Sequence, residues 1–323
     1  MERHYKIRQD LQSRAGHETL FGNPSMKDPK NIAASIRQRL LNRARNDNRP
    51  FNELLQYYGM ERFLYRLSLS PYAQQFILKG ALMLRIWNAP ESRPTMDIDM
   101  LGRTSNEEER IIAQINTILS TKVIEDGLIF NADSIKAERI TEDADYQGIR
   151  IRFTGTLETA KVHIQLDIGF GDIIYPQPEE SILPTLLDLP APKLLAYSRE
   201  SAIAEKFEAM VKLGAINSRM KDFYDIWMLS RQFSFNGAQL AKAIRLTFNQ
   251  RGTQLPIEVE AFSNPFIDAK QIQWTAFIKR LQQDHVPSKF SEIVSSVSKF
   301  LIPILHALSN NESAPQTWLI NGP

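Results

Sequence analysis

Two aspartates, two positions apart and flanked by apolar residues, constrain the fold of this chain more than any other sequence feature. In residues 95–100, TMDIDM, Asp97 and Asp99 alternate with Met96, Ile98 and Met100. This alternation predicts a β-strand whose apolar side chains enter the core, so that both carboxylates emerge on the opposite face. At an effective dielectric constant near 20, two unit charges about 6 Å apart repel by roughly 3 kcal/mol. A fold that contains this strand therefore needs a counter-charge.

A second predicted strand carries a third aspartate in the same pattern. In residues 161–172, KVHIQLDIGFGD, Asp167 lies between Leu166 and Ile168. If the two strands are neighbours, three carboxylates converge on one face, an arrangement of hard oxygen ligands that suits Mg²⁺ and phosphate chemistry. The alternative is that these acids simply face solvent. A further Asp-x-Asp pair, Asp143 and Asp145, stands in polar surroundings and is predicted to be a loop.

The order of predicted elements is helices, then a mixed α/β module, then helices. We expect an irregular, partly disordered arm over residues 1–30, a module with N-terminal helices over 31–190, a helical domain over 191–309 and a tail over 310–323. Within the module, residues 76–87 predict either an apolar helix or a strand-to-helix element. Ser105 is expected to open a helix with a capping box, and GIRIRF is a predicted strand.

After the proline-rich segment 183–193 the pattern predicts helices only. Their expected ranges are 199–213, 219–232, 238–248, 272–283 and 290–308, the last with a kink at Pro303. Ser218 is the expected N-cap of the second of these helices.

Composition excludes some chemistry and leaves one question of charge open. The absence of cysteine excludes disulfides, thiolate zinc sites and a cysteine nucleophile. The N-terminus shows no apolar segment typical of a signal peptide or membrane span, which predicts a cytoplasmic protein without membrane association. Residues 1–66 hold 13 Lys and Arg against 7 Asp and Glu. That flank, with Arg37, Arg39, Arg43 and Arg45 clustered in it, indicates either an RNA partner or a solvated helix face.

Two lysines are candidates for ligand binding. Lys206 lies at the edge of the core face of the predicted helix 199–213, with no acid at i±3 or i±4, so it either reaches a ligand or extends into solvent. Lys79 precedes Gly80 and could reach a phosphate. By contrast, Lys212 is expected to pair with Glu208 on the surface.

The acids of the segment NSRMKDFYDIW are open to two interpretations. Asp222 and Asp225 share one face of a predicted helix, where they could act together. Lys221 and Asp225, at i and i+4, could equally form a structural ion pair.

Five segments, taken together, resemble the AbiEii/AbiGii toxin family of nucleotidyltransferases from about residue 31 to residue 250. They are FILKGALML, RPTMDIDMLGR, QLDIGFGD, AIAEKFEAMVKLG and SRMKDFYDIW, in the order and with the spacing typical of the family. The resemblance implies the α+β fold of DNA polymerase β-like nucleotidyltransferases, a mixed β-sheet with flanking helices, preceded here by N-terminal helices and followed by a C-terminal helical domain. It also implies a toxin of a toxin–antitoxin or phage-defence (abortive infection) system.

The resemblance assigns roles to particular positions. The metal carboxylates of the family fall on Asp97, Asp99 and Asp167, its lysine on Lys206 and its helical acid on Asp225, and these five are the implied catalytic residues. Gly80-Ala81 stands where the family usually has Gly followed by Gly or Ser, and Ala81 keeps the backbone donor while it lacks a hydroxyl. The implied nucleotide-binding residues are Lys79, Gly80, Arg93, Thr95, Lys206 and Asp222.

The implied reaction is metal-dependent nucleotidyl transfer. Two Mg²⁺ (or Mn²⁺) ions would be held by the aspartates, a nucleoside triphosphate would be the donor, and pyrophosphate would leave. The expected acceptor is RNA, in particular the 3′ end of a tRNA, and an antitoxin is the expected protein partner. Two alternatives stay open from the residues: transfer to a small molecule or a protein, and a nucleotide- or RNA-binding module without catalysis.

Overall fold

One mixed β-sheet organises the first two thirds of the molecule. The computed structural model describes residues 29–89, 95–143 and 146–320. The sheet has the strand order β3-β4-β5-β2-β1-β7-β6, in which β2 runs parallel to β5 and β1 parallel to β7, and the other pairs are antiparallel. Its strands are β1 (Phe76–Lys79), β2 (Ile98–Gly102), β3 (Leu128–Asp143), β4 (Tyr146–Leu157), β5 (Ala160–Phe170), β6 (Glu179–Ile182) and β7 (Lys193–Ala196).

Helices cover one face of this sheet and leave the other for the acids. The alternation in β5 is confirmed: Val162, Ile164, Leu166 and Ile168 are buried. Gly59, in the helix above them, lies so close that an added Cβ would be 2.9 Å from Val162 Cγ2. The helices associated with the sheet are α1 (Pro29–Asn46), α2 (Phe51–Leu69), α3 (Leu82–Ile86) and α4 (Glu108–Leu119).

A second hydrophobic core is built from the helices that follow the sheet. They are α5 (Arg199–Leu213), α6 (Met220–Gln232), α7 (Gly237–Gln250), α8 (Asn264–Leu281) and α9 (Phe290–Ser309), with a short ribbon of β8 (Phe235–Asn236) and β9 (Thr317–Trp318). Helix α9 is long and apolar enough to cross a membrane by length and composition alone. Its apolar side chains, among them Val297, Leu301 and Ile304, are buried in this helical core.

The predicted α+β class is confirmed, with corrections to individual elements. Only helices are predicted after residue 193, but residues 194–196 belong to β7, which hydrogen-bonds to β1 inside the sheet. The expected tail contains Trp318, whose side chain is fully buried. Met96, expected in the core, is 53% exposed because β2 begins only at Ile98.

The predicted helix starts and the predicted loop also need correction. Helix α4 begins at Glu108, so Ser105 accepts from the Glu107 amide ahead of the helix and forms no capping box. Helix α6 begins at Met220 with Arg219, not Ser218, at its N-cap. Asp143 is the last residue of β3 and pairs with Tyr146 in a hairpin, whereas Asp145 lies outside the described residues.

Candidate active site

A row of four charged residues crosses the face of the sheet that is opposite to α2. Backbone pairing aligns Arg150 of β4 with Asp167 of β5, Asp167 with Asp99 of β2, and Asp99 with Lys79 of β1. Directly paired residues of neighbouring strands project to the same face. The register therefore produces a row with the charges plus, minus, minus, plus.

The three predicted metal ligands come together here: two belong to the row, and Asp97 lies beside it. Asp97, Asp99 and Asp167 each offer a carboxylate oxygen, and these oxygens lie within 4.8 Å of one another. Asp97, just before β2, is held by the Thr95 hydroxyl, which donates to its Oδ1 at 2.5 Å, and the Thr95 amide in turn donates to the Tyr57 hydroxyl. Three converging hard oxygen donors fit a divalent cation such as Mg²⁺ or Mn²⁺.

The protein itself supplies only part of the counter-charge that the pair requires. Arg150 donates two hydrogen bonds of 2.7 Å to the two oxygens of Asp167. In the described residues, no cation lies within ion-pair distance of Asp97 or Asp99. Burial, followed by the charge of Asp97, raises the pKa of Asp99 to about 6, even though Lys79 acts in the opposite direction.

Gly80 makes room for Asp99 at the turn between β1 and α3. Its backbone has a φ of +73°, and a Cβ at this position would stand 1.9 Å from Asp99 Oδ2. Both observations exclude a side chain here, the first through backbone strain and the second through collision. The predicted site glycine is thus a structural requirement of the carboxylate pair.

Lys206 has acidic partners that its own helix does not supply. Its Nζ lies 2.9 Å from Asp222 Oδ1 and 2.8 Å from Asp225 Oδ2, both on α6. Arg219 Nε contacts the other oxygen of Asp222 at 2.8 Å. Burial alone would raise the pKa of Asp222, but Lys206 and Arg219 hold it below its usual value. Asp225 pairs with Lys206, and it does not form the ion pair with Lys221 that the sequence left open.

Lys79 belongs to a buried ion-pair network that the sequence did not predict. We call Lys79, Asp172, Glu205, Glu208 and Arg251 the Lys79–Arg251 network. Lys79 Nζ lies 3.1 Å from Asp172 and 3.3 Å from Glu205, and Arg251 lies 3.0 Å from Asp172 and 2.9 Å from Glu208. The expected surface pair of Glu208 is wrong, because Glu208 is buried and bonded to Arg251.

Two hydroxyls complete this network. Tyr197 donates to Glu205, and Thr253 donates to Glu208 at 2.5 Å. The network therefore joins the end of the sheet to α5 and to the segment that follows α7.

A cavity of about 100 Å³ links the sheet row, the lysine of α5 and this network. It is lined by Lys79, Gly80, Asp99, Glu205, Lys206, Arg219, Lys221, Asp222, Asp225 and Arg251, among others. Six of the predicted site residues line this cavity: Lys79, Gly80, Asp99, Lys206, Asp222 and Asp225. Asp97 and Asp167 lie next to Asp99, Thr95 is bonded to Asp97, and Arg93 lies outside the described residues. Sequence reasoning assigned no role to Arg150, Asp172, Glu205 or Arg251, although the first three stand in the quoted segments GIRIRF, KVHIQLDIGFGD and AIAEKFEAMVKLG.

Comparison with known proteins identifies one family model that matches most of the chain. Residues 62–296 match the family model described as "Nucleotidyl transferase AbiEii toxin, Type IV TA system". No curated protein matches the chain. Two crystal structures from Helicobacter pylori are similar at 14% identity and a TM-score of 0.46, covering 80% of this chain: one provisionally described as a nucleotidyltransferase, matched over 97% of its length, and JHP933, matched over 94%.

Proposed function

Since the chain belongs to the AbiEii family of nucleotidyltransferase toxins of type IV toxin–antitoxin systems, we propose that it transfers a nucleoside monophosphate from a nucleoside triphosphate to an RNA acceptor, the 3′ end of a tRNA in particular. One observation carries this proposal. Three aspartate oxygens within 4.8 Å of one another belong to a site whose cavity Lys206 also lines. A metal-ligand set beside a positioned cation is what transfer of a charged phosphoryl group requires.

Asp97, Asp99 and Asp167 are the residues proposed to hold divalent metal, Mg²⁺ or Mn²⁺. When bound, such a metal would neutralise charge on the phosphate oxygens during in-line displacement. Thr95 orients Asp97 and Arg150 orients Asp167, so two of the three carboxylates are fixed before any ligand arrives. Asp99 instead packs against Gly80, in the space that a Cβ at that position would fill.

Lys206 is proposed to bind the triphosphate. Its ammonium faces the cavity and is held by two carboxylates of α6, which keep it charged and fix its position. A bound triphosphate would add a third anionic partner. The acceptor hydroxyl would bond to the α-phosphorus as the bond to pyrophosphate breaks, and its proton would pass to a carboxylate of the site. In this arrangement Asp222 and Asp225 act through Lys206, whereas Lys79, held by the network, lies at the cavity wall.

The basic N-terminal flank supports RNA as the acceptor. Arg39 and Arg45 are exposed on α1, while Arg37 and Arg43 are engaged with Glu158 and Asp47. Exposed arginines on one helix suit contact with a phosphate backbone. The family also implies an antitoxin, which would counteract the transfer activity in the cell.

The direct test is incubation with each α-labelled nucleoside triphosphate, Mg²⁺ and total cellular RNA. We expect label in RNA, concentrated in the tRNA fraction, and none with Asp97→Asn. Label in protein or in small molecules, with none in RNA, would replace the proposed acceptor. In cells, expression of the wild-type protein should arrest growth and Asp99→Ala should not; equal growth of the two strains would remove the support for a toxin that depends on this site.

A further inference from the structure

A second cavity opens beside the candidate active site, between the start of α6 and the last turns of α8. It has a volume of about 700 Å³. We call it the α6–α8 groove, and its lining includes Arg219, Lys221, Gln273, Phe277 and Arg280. Three of its lining residues are cationic and none is acidic. Arg219 and Lys221 also line the active-site cavity, so the groove adjoins the site of the proposed chemistry.

The α8 wall of the groove presents an aromatic ring and a guanidinium on one helix face. Gln273, Phe277 and Arg280 are spaced by four and three residues, which places them on the same side of the helix. Phe277 is partly exposed, and its ring is held by Trp274, with ring centroids 5.4 Å apart, and by Tyr224 at 5.8 Å. The ring is thus a fixed surface that is open on one side.

Two of the three groove cations, Lys221 and Arg280, have no acidic partner in the part of the chain that the structure describes, whereas Arg219 is paired with Asp222. Arg280 is exposed, and its Nε donates a 3.2 Å hydrogen bond to the carbonyl oxygen of Ala276. Lys221 is exposed and near enough to Asp99 to lower the pKa of that carboxyl, yet no described carboxylate lies within 4 Å of it. The groove therefore has positive charge available for an anionic partner.

We propose that the α6–α8 groove binds the single-stranded 3′ end of the acceptor RNA, namely the nucleotides that precede the terminal hydroxyl. This inference rests on the proposed function. Proteins that bind single strands combine cations along the backbone with aromatic rings on which bases stack. Phe277 provides the ring, Arg280 and Lys221 provide charge for phosphates, and the connection through Arg219 and Lys221 directs the strand end toward the aspartates. The volume is within the range of about 300–1,000 Å³ that is typical of ligand pockets.

The test uses the full chain, deacylated total tRNA as acceptor and a fluorescein-labelled single-stranded RNA oligonucleotide as binding probe. We expect Arg280→Gln to weaken probe binding about threefold and to reduce the slope of log K against log salt by about 0.7, the loss of one phosphate contact to a single strand. Phe277→Leu should weaken binding about fivefold or more, as expected for loss of base stacking. Both variants should raise the KM for tRNA and leave the KM for the nucleoside triphosphate unchanged.

Lys279→Gln is the matched control, because Lys279 is an exposed lysine on the same helix turn that does not line the groove. It should behave like the wild type. If Arg280→Gln and Lys279→Gln have the same KM for tRNA and the same salt slope, the groove proposal is overturned. If the KM for the nucleoside triphosphate rises instead, the groove holds the donor base and the proposal is equally overturned.

The wild-type protein separates this proposal from the one on which it rests. If the wild type transfers nucleotides to tRNA and the groove variants have the same KM for tRNA as the wild type, only the groove proposal is rejected. Absence of any wild-type transfer to RNA, with label in another acceptor, rejects the proposed acceptor and the groove assignment together. Thermal midpoints equal to that of the wild type within a few degrees establish that Arg280→Gln has not acted through folding.

Discussion

Two clusters in this molecule contain three carboxylates each, and they differ in how many of those carboxylates have a cationic partner. The Lys79–Arg251 network surrounds Asp172, Glu205 and Glu208 with two cations and two hydroxyls. Among the described residues, Asp97, Asp99 and Asp167 have one directly bonded cation, Arg150, which bonds to Asp167 and lies 3.8 Å from Glu138. Each carboxylate of the first cluster thus has a cationic partner, whereas Asp97 and Asp99 have none among the described residues.

The difference separates a structural role from a functional one. Buried charges that are fully paired hold two parts of the chain together, and removing one partner leaves another buried and unpaired. Carboxylates that are placed close together without counter-charge raise the free energy of the folded state, and a bound cation recovers it. The contrast makes the carboxylate row, and not the network, the candidate for metal chemistry.

The largest expected effect is on activity at the carboxylate row. Asp97→Asn keeps the size of the side chain and removes its charge, so nucleotide transfer should fall by about 10³-fold or more, comparable to the loss of a key electrostatic group. Mg²⁺ should raise the thermal midpoint of the wild type but not that of the variant. Asp133→Asn, at an exposed aspartate of β3, is the control and should match the wild type in both measurements.

The second effect concerns Lys206, which combines both kinds of role. Lys206→Met should lower transfer by about 10²–10³-fold. Because Asp222 and Asp225 are buried beside it, the change should also lower the free energy of unfolding by about 2–3 kcal/mol. The helix pattern alone, with no acid at i±3 or i±4 of Lys206, would predict no loss of stability; the contacts with α6 change that expectation. Lys212→Met, at an exposed position of the same helix, should leave transfer near normal.

A double variant separates the two losses. Lys206→Met combined with Asp225→Asn removes one of the buried charges, so it should recover part of the stability and none of the activity. Recovery of transfer in the double variant would show that Lys206 serves only to offset the charges of Asp222 and Asp225.

The third effect tests the contrast between the Lys79–Arg251 network and the carboxylate row by the free energy of unfolding alone. Asp172→Asn should lower the metal-free free energy of unfolding by about 2–4 kcal/mol, because Lys79 and Arg251 lose a buried partner. Asp99→Asn should leave it unchanged or increase it, because the variant relieves repulsion from Asp97. Chemical denaturation of both variants in the presence of a chelator measures the difference. Equal destabilisation would mean that the two clusters are both structural.

The smallest effect is a pH dependence of the metal-free protein. The pKa of Asp99 is raised to about 6 by burial and by Asp97, so the folded protein keeps a proton that the unfolded chain has already lost. The resulting contribution to stability is present below the ordinary pKa of aspartate and is lost as the pH rises through about 6. Relative to Asp99→Asn, the wild-type thermal midpoint should therefore fall between about pH 5 and about pH 7.5. A constant difference between the two proteins across this range would contradict the assignment.

Much of the site could be predicted because its signals are local. The alternation around Asp99 and Asp167 follows from the two-residue period of a strand against a core, and both strands formed as expected. Helix patterns singled out Lys206, Asp222 and Asp225, the family resemblance assigned them roles, and the structure places both aspartates in contact with the lysine. The errors at Ser105, Ser218 and Met96 are errors of element boundaries, where one or two residues decide the outcome.

The sequence by itself determined which residues are acidic or basic, which of them share a strand or helix face, and the family to which the chain is similar. Only the tertiary structure decided which charges meet. Arg150 reaches Asp167 through the register of β4 with β5, Lys206 reaches Asp222 through the packing of α5 on α6, and Lys79 reaches Asp172 and Glu205 where sheet and helices join. The physical reason is the distance along the chain over which each kind of interaction acts. Backbone periodicity acts over a few residues, whereas ion pairs depend on distances of a few ångströms that strand pairing and core packing set between segments far apart in the chain.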